Sequence, residues 1–194
     1  MRNIELVLAS ASPRRHEILD LAGIPHVIMP SSEECADHTL PPYERVLALA
    51  KCKARDVAAK CPDRLVLGAD TMVVLDDMVL GKPQSPEKAV EMLLSLQGKE
   101  HKVMTGVWLT LTNADGEAVK EGGFTDVAAV KFLPFDRDEA QKYVETGECN
   151  DKAGAYGIQG KGMRFVESIH GDFYTIMGLP GGKLIRFIDA FLAD

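Results

Sequence analysis

The sequence contains few of the residues that disulfide-rich or nucleic-acid-binding proteins depend on. Four cysteines occur in 194 residues and none forms a CxxC pair, so neither a disulfide framework nor a cysteine-based zinc site is predicted. Lysine and arginine number 22 against 29 aspartate and glutamate, a net charge of −7, and aromatic residues make up only 6%. Sequence-independent nucleic-acid binding needs a basic face with stacking aromatics, and is therefore disfavoured.

Long apolar runs and metal-binding spacings are also missing. No stretch approaches the roughly 20 apolar residues that cross a bilayer, and residues 1–5 show no secretory cleavage pattern. We therefore expect a cytoplasmic protein with no membrane association and four reduced cysteines. The five scattered histidines show no HExxH spacing, so a structural zinc site is not expected.

What is present indicates a folded α/β protein. Hydrophobic residues make up 46% of a chain of single-domain length. Strand-like and helix-like segments alternate and predict a mixed α/β (α+β) fold in one domain, residues 1–194. Strands are predicted at 4–9, 26–29, 65–67 (extended again at 72–75), 102–112 and 121–132, and helices at 13–23, 42–60, 85–98, 136–146 and 184–192.

Two arginines, Arg14 and Arg15, directly follow the predicted helix start at Ser12-Pro13. Cations in a first turn oppose the helix dipole by roughly 0.3–1 kcal/mol each. The pair is therefore either a solvated surface feature or part of an anion site with backbone N–H groups and the hydroxyls of Ser10 and Ser12. The phosphate-binding pattern GxxxxGK[ST] is absent.

Carboxylates and lysines that could complete such a site lie further along the chain. Asp70 is predicted at the end of a buried strand, where open α/β sheets bind ligands, although a turn aspartate is the alternative. Glu33 and Glu34 form either a solvated acidic loop or, with Asp70, ligands of a hard cation such as Mg²⁺. Lys53 and Lys82 are each either snorkelling surface lysines or functional cations.

A glycine-rich stretch at 151–160 has a composition suited to ligand contact. Its three glycines let the backbone approach a ligand closely. Gln159 offers both a donor and an acceptor, as the reading of a base edge requires. A flexible surface loop is the alternative, and the aromatic and apolar residues between the glycines disfavour it.

Together these segments resemble the Maf family of nucleoside triphosphate pyrophosphatases over nearly the whole chain. The similar motifs are SASPRRHEIL at 10–19, LAKCKA at 49–54, GADT at 68–71, GKP at 81–83, HKVMTGV at 101–107, KAGAYGIQG at 152–160 and MGLP at 177–180. The resemblance implies an elongated fold of two lobes around a central cleft, similar to the inosine triphosphatase fold, and a homodimer. It also implies cleavage of a nucleoside triphosphate to the monophosphate and pyrophosphate with Mg²⁺ or Mn²⁺.

The motif at 152–160 resembles the branch of the family that prefers dTTP and UTP. By this resemblance Asp70 is the general base, and Arg14, Lys53 and Lys82 bind the triphosphate. Thr71 and Gln159 would select the base, with Arg14 reaching base or phosphate. The remaining candidates are Ser10, Ser12 and Arg15 for substrate, and Glu33 (alternatively Glu34) with Asp70 for the metal.

Two segments depart from the family pattern, and two other functions remain open. The acidic loop reads Ser-Ser-Glu-Glu-Cys at 31–35 instead of a form close to S-D-x-D-E, and residues 172–175 replace a serine-tyrosine-serine stretch. The second departure could alter base selectivity. A nucleotide-sensing regulator of cell division or septum formation, with incidental hydrolysis, is the alternative function. Modified pyrimidine nucleotides are alternative substrates.

Overall fold

Strands and helices alternate through the chain, which is described here from a computed structural model covering residues 5–33 and 39–193. The strands in these residues are β1 (Leu6–Leu8), β2 (His26–Ile28), β3 (Leu65–Leu75), β4 (Met78–Leu80), β5 (Glu100–Thr112), β6 (Ala118–Phe132) and β7 (Val166–His170). The helices are α1 (Pro13–Leu21), α2 (Pro42–Ala58), α3 (Pro86–Leu96), α4 (Arg137–Val144), α5 (Phe173–Met177) and α6 (Gly181–Ala193), with 3-10 turns at Ala153–Ala155 and Lys161–Phe165. The predicted mixed α/β class is confirmed.

The strands pair in the order β2-β1-β3-β5-β6-β7, with β4 on β3. β1 is parallel to β2 and β3, whereas β3–β4 and β6–β7 are antiparallel. The chain divides into two compact units: unit 1 (Met1–Asp70, Thr105–Asp126, Gly178–Asp194) and unit 2 (Thr71–Met104, Val127–Met177). That they form one domain of two lobes stays a prediction.

In unit 1, the predicted starts of α1 and α2 are confirmed, both helices end two residues earlier than predicted, and α6 begins three residues earlier. Ser12 is the N-cap of α1 and Pro13 its first residue, but the Ser12 side chain makes no capping bond. Gly23, with φ +66°, ends the turn after α1 as predicted. The apolar stripe of α2 is buried, and its inner residues pack with β1 and β3 in a core that contains Val7, Ala54, Val57, Ala58 and Val66.

Two glycines allow the α2 backbone to lie directly on the strands of unit 1. A Cβ atom on Gly68 of β3 would lie 2.1 Å from the Ala50 carbonyl oxygen, and one on Gly106 of β5 would lie 2.4 Å from that of Val46. Neither position can hold a side chain without moving main-chain atoms. The spacing between α2 and these strands is therefore set by backbone contact.

Unit 2 has an aromatic core of its own. Phe132 packs edge-to-face on Tyr156 with ring centroids 4.8 Å apart, and Tyr143 packs similarly on Phe165. Side chains cap the starts of α3 and α4, and the cap of α3 is the predicted one. Ser85 accepts from the Lys88 backbone N–H before α3, and Asp136 accepts from that of Glu139 before α4.

Two expectations are wrong. Asp70 is not at a strand end but is the sixth of the eleven residues of β3, because the strand runs on from its parallel pairing with β1 into an antiparallel pairing with β4. Cys52 is disulfide-bonded, whereas Cys61 and Cys149 are free and buried. A disulfide depends on proximity in space, which the sequence spacing did not reveal.

In the described ranges, every helix is too short or too polar to span a membrane.

Candidate functional site

A lysine on α2 and an aspartate on β3 form the centre of the candidate site in unit 1. The Lys53 ammonium donates to Asp70 Oδ1 at 2.5 Å. The side chains are 27% and 17% exposed, so the pair is partly desolvated but open to solvent. Gly68, two residues before Asp70, lets α2 approach β3 closely, which brings the two side chains within bonding distance.

Arg15 and Ser10 form a second, more buried cluster in the same unit. Arg15 Nη1 donates to Ser10 Oγ at 2.8 Å and Arg15 Nε donates to the Gly178 carbonyl at 2.9 Å. Burial lowers the pKa of Arg15, the charge of Asp70 raises it, and the neighbouring Arg14 lowers it further. Because an arginine stays charged even so, a buried positive charge acts on Asp70.

At the start of α1, where the sequence predicts an anion site, Ser12 and Arg14 lie near the protein surface. Both are partly exposed. The Ser12 backbone N–H donates to Ser10 Oγ at 3.3 Å, and its carbonyl accepts from the N–H groups of Arg15 and His16. Ser10 Oγ thus fixes the entry to α1 and the Arg15 guanidinium together.

The first residues of the acidic loop, Ser31 and Ser32, are hydrogen-bonded to α2. Ser31 Oγ and the Ser32 N–H donate to Asp56 Oδ2 at 2.8 and 2.9 Å. Asp56 also accepts from Lys60 at 2.6 Å, which is the main reason that its pKa falls to about 2. Glu33 is exposed and its N–H donates to Ser31 Oγ, whereas the alternative ligand, Glu34, lies outside the described residues.

The candidate metal ligands have the chemistry that Mg²⁺ or Mn²⁺ prefers. Asp70 and Glu33 offer carboxylate oxygens, the donors that these hard cations take up. The short bond from Lys53 shows that Asp70 already holds a positive charge at this place. The residues therefore fit a divalent cation, which would compete with the ammonium for Asp70.

The other predicted residues, Thr71, Lys82 and Gln159, belong to unit 2. Thr71 follows Asp70 in β3, and Lys82 is exposed in the loop after β4. The Gly154 N–H donates to the Gly81 carbonyl at 3.1 Å, which ties the loop of Lys82 to the glycine-rich stretch. Gly154 has φ +71° and faces Val73, so this close contact depends on glycine.

Glu148, which the sequence did not single out, anchors the glycine-rich stretch. Its carboxylate accepts from the Tyr143 hydroxyl at 3.0 Å and from the N–H groups of Lys161 and Gly162 at 2.8 and 3.1 Å. Burial would raise the pKa of Glu148, but these bonds outweigh it and hold the pKa below its usual value. A Cβ on Gly160 would lie 2.4 Å from Glu148 Oε2. The glycines therefore make room for the carboxylate.

Gln159, beside this anchor, is exposed at a surface pocket of unit 2. The pocket has a volume of about 550 Å³. Its lining combines a polar amide, two cations, a carboxylate and an apolar side chain, from Glu148, Gln159, Gly160, Lys161, Met163 and Arg164. The lining offers both polar and apolar contacts to a ligand at Gln159.

The chain is thus a mixed α/β protein that has a strand carboxylate in contact with a lysine in unit 1, and an anchored glycine-rich loop in unit 2. The sequence profile described as Maf-like protein matches residues 5–191. The chain therefore belongs to the Maf family.

Curated relatives match almost the full chain. The dTTP/UTP pyrophosphatase of Moorella thermoacetica is 50% identical over 191 residues, 98% of this chain and 96% of that one. That of Bacillus velezensis is 46% identical over 187 residues, 96% of each chain. Among solved structures, the Ham1 protein of Staphylococcus aureus is a weak match, with 13% identity and a TM-score of 0.42 over 66% of this chain and 71% of that one.

Proposed function

We propose that the protein is a nucleoside triphosphate pyrophosphatase that hydrolyses dTTP and UTP to the monophosphate and pyrophosphate. The observation that carries the proposal is the contact between the Lys53 ammonium and the Asp70 carboxylate, in a chain of the Maf family. The relatives named dTTP/UTP pyrophosphatase, 42–50% identical to the chain, support the same substrates.

Asp70 would act as the general base in this reaction. Its carboxylate takes a proton from the water that attacks the α-phosphorus, and pyrophosphate leaves. Lys53 moves from Asp70 to the phosphate oxygens as the substrate enters, because the triphosphate is the more highly charged anion. That exchange releases the carboxylate to accept a proton and places the ammonium where negative charge develops.

The other cations would hold the triphosphate in position. Arg14, at the start of α1, and Lys82, in its exposed loop, contact the phosphates, with Ser12 and the N–H groups of the first turn as further donors. Arg15 is buried on Ser10 and Gly178, so it acts as a positioning residue that keeps Ser10 and the start of α1 in place.

A divalent cation, Mg²⁺ or Mn²⁺, completes the proposal. Asp70 and Glu33 would hold it, and when bound it supplies charge neutralisation for the phosphates. Residues of the chain do the rest: Asp70 accepts the proton, and Lys53, Arg14 and Lys82 orient the substrate.

Preference for pyrimidines would come from Thr71 and Gln159. A site that hydrogen-bonds one base rejects another strongly when its own polar groups are left without partners. Gln159, exposed at its pocket and held by the loop that Glu148 anchors, can both donate to and accept from a base edge. Modified pyrimidine nucleotides would satisfy the same contacts.

A pyrophosphate-release screen tests the proposal. Normal and modified nucleoside triphosphates are each assayed with Mg²⁺ and Mn²⁺, and dTTP and UTP are expected to be the best normal substrates. Asp70→Asn should abolish release while the protein stays folded, and Asp115→Asn, in an exposed turn, should not change it. Pyrophosphate release at the wild-type rate by Asp70→Asn would show that Asp70 is not the general base. A preference for purine nucleotides would contradict the proposed selection of pyrimidines.

Resemblance to the family also supports two proposals about the protein in the cell. It would act as a homodimer, which light scattering on the purified protein would test. It would act in the cytoplasm, where nucleoside triphosphates occur, and fractionation of cells that express it would test this.

A further inference from the structure

Two histidines and an aspartate, apart in the sequence, come together between α1 and β2 in unit 1. His16 Nδ1 and His26 Nε2 are 2.7 Å apart, and His16 Nε2 is 3.3 Å from Asp20 Oδ2. One possible ligand atom from each side chain lies within 4.8 Å of the other two. The cluster shares no residue with the candidate catalytic pair of Lys53 and Asp70.

A hydrogen bond holds the ring of His26 in the orientation and tautomer that a metal ligand needs. His26 Nδ1 lies 2.9 Å from the Ile24 carbonyl oxygen. A carbonyl can only accept, so Nδ1 carries the hydrogen, and in the neutral ring the lone pair is on Nε2, which faces His16. Metal-ligating histidines almost always donate their other ring N–H to such a partner, which sets the tautomer and the orientation of the ring.

Local structure explains why the three residues meet. His16 and Asp20 are four residues apart on α1, a spacing that places both side chains on one face of the helix. Gly23, with φ +66°, turns the chain back after α1, so that His26 begins β2 beside that face. An ion held by all three would connect the helix to the strand.

We propose that His16, Asp20 and His26 form a binding site for a divalent transition-metal ion of the zinc class, such as Zn²⁺, Co²⁺ or Ni²⁺. Two imidazoles and one carboxylate are the donors that these ions take, whereas Mg²⁺ prefers a set made up of oxygens. Three protein ligands leave a fourth tetrahedral position for water. This site goes beyond the proposed pyrophosphatase activity and does not rest on it.

The side chains must rearrange to admit the ion, because His26 lies at Nδ1 of His16 and Asp20 at Nε2, and one imidazole gives a single nitrogen to one ion. Two nitrogens on a tetrahedral Zn²⁺ lie roughly 3.3 Å apart, so the two ring nitrogens must separate by roughly 0.6 Å from their 2.7 Å distance. The side chains of His16 and Asp20 are 46% and 59% exposed, so the Asp20 carboxylate has room to turn toward Nδ1 of His16.

Calorimetric titration of the full-length, metal-free protein with Zn²⁺ tests the proposal, together with NMR of the histidine rings. In the wild type, the ring signals of His16 and His26 are expected to shift at one equivalent of Zn²⁺ and to stay in place with Mg²⁺. His26→Ala should weaken binding at this site by at least roughly 10–100-fold, the loss seen when residues that only support a metal ligand are removed, because it removes a ligand itself. Asp20→Asn should weaken it as well.

Matched variants separate this site from other zinc-binding residues. His170→Ala removes an exposed histidine on β7 and should bind Zn²⁺ as the wild type does. Asp70→Asn should also keep this binding, so the outcome does not depend on whether the protein is a pyrophosphatase. Equal Zn²⁺ affinity in the wild type, His26→Ala and Asp20→Asn would overturn the proposal. So would ring signals of His16 and His26 that do not respond to Zn²⁺.

Discussion

The Lys53 ammonium bonds directly to the carboxylate of Asp70, 2.5 Å away, across the contact between α2 and β3. Lys51, two residues earlier on the same helix, instead lies over the ring of Trp108, 4.7 Å from its centroid. One helix thus presents two lysines in different settings. Lys51 therefore serves as an internal control for Lys53.

Lys53→Met should lower kcat/KM for dTTP by about 10²-fold, the typical effect of removing one donor aimed at developing negative charge. Steady-state kinetics with Mg²⁺ measures the loss. Lys51→Met should leave kcat/KM within about twofold, because Lys51 contacts an aromatic ring and not Asp70. Equal losses in the two variants would contradict a direct role for Lys53.

Substitution of the two arginines should separate binding from stability. Arg15→Lys cannot reach both Ser10 Oγ and the Gly178 carbonyl, and should reduce the free energy of unfolding by about 1–3 kcal/mol. Arg14→Lys should instead raise KM for dTTP and leave the unfolding midpoint unchanged. Chemical denaturation and steady-state kinetics on both variants measure these effects. A destabilised Arg14→Lys with an unchanged KM would argue against phosphate binding by Arg14.

Glu148→Gln should loosen the glycine-rich stretch. A glutamine has one acceptor oxygen in place of two, so it cannot accept from Tyr143, Lys161 and Gly162 at once. We expect faster hydrogen exchange at the amides of Lys161 and Gly162 and a higher KM for dTTP, with a smaller change in kcat. Glu145→Gln, exposed just after α4, is the control. Unchanged exchange in Glu148→Gln would show that the carboxylate does not anchor the loop.

Buried His101 should make unit 2 sensitive to acid. Burial lowers its pKa to about 4, and its Nε2 lies 2.8 Å from the Tyr156 hydroxyl. An unfolded histidine titrates near 6.5, so between about pH 6.5 and 4 the unfolded state binds a proton that the folded state does not. The free energy of unfolding should therefore fall over this range, by about 3 kcal/mol in total.

His101→Gln should flatten that pH dependence, because glutamine does not titrate and can still bond to Tyr156. Urea unfolding at a series of pH values measures it. His170→Gln, at an exposed position on β7, should leave the dependence as it is in the wild type. The same slope in His101→Gln and the wild type would assign the acid sensitivity to other groups.

Local signals in the sequence predicted most elements of the fold. The cap at Ser85 and the turn glycines Gly23 and Gly98 mark helix ends that the structure confirms, because such signals depend on neighbours in the chain. Ser12 stands at the N-cap position as predicted, but its side chain makes no capping bond. β4, β7 and α5 were not predicted. They are only three to five residues long, too short for a clear periodic pattern.

The site was harder to predict wherever it depends on contacts between distant segments. Asp70 and Lys53 were candidates from the sequence and took their roles from the family resemblance, but their contact depends on how α2 packs on β3. Glu148 gave no sequence signal, since its partners are mostly main-chain N–H groups 13 and 14 residues away. His16 and His26 were judged scattered because their proximity arises from the turn after α1.

The contact of α2 with Gly68 and Gly106 has a consequence for how the sequence can vary. Because main-chain atoms of the helix rest on these two glycines, the helix-to-strand distance does not depend on the volume of neighbouring side chains. Apolar exchanges elsewhere along the stripe of α2 can therefore accumulate without changing the separation of Lys53 and Asp70. The two glycines themselves allow no such variation, and even an alanine at either position would push the lysine away from its carboxylate.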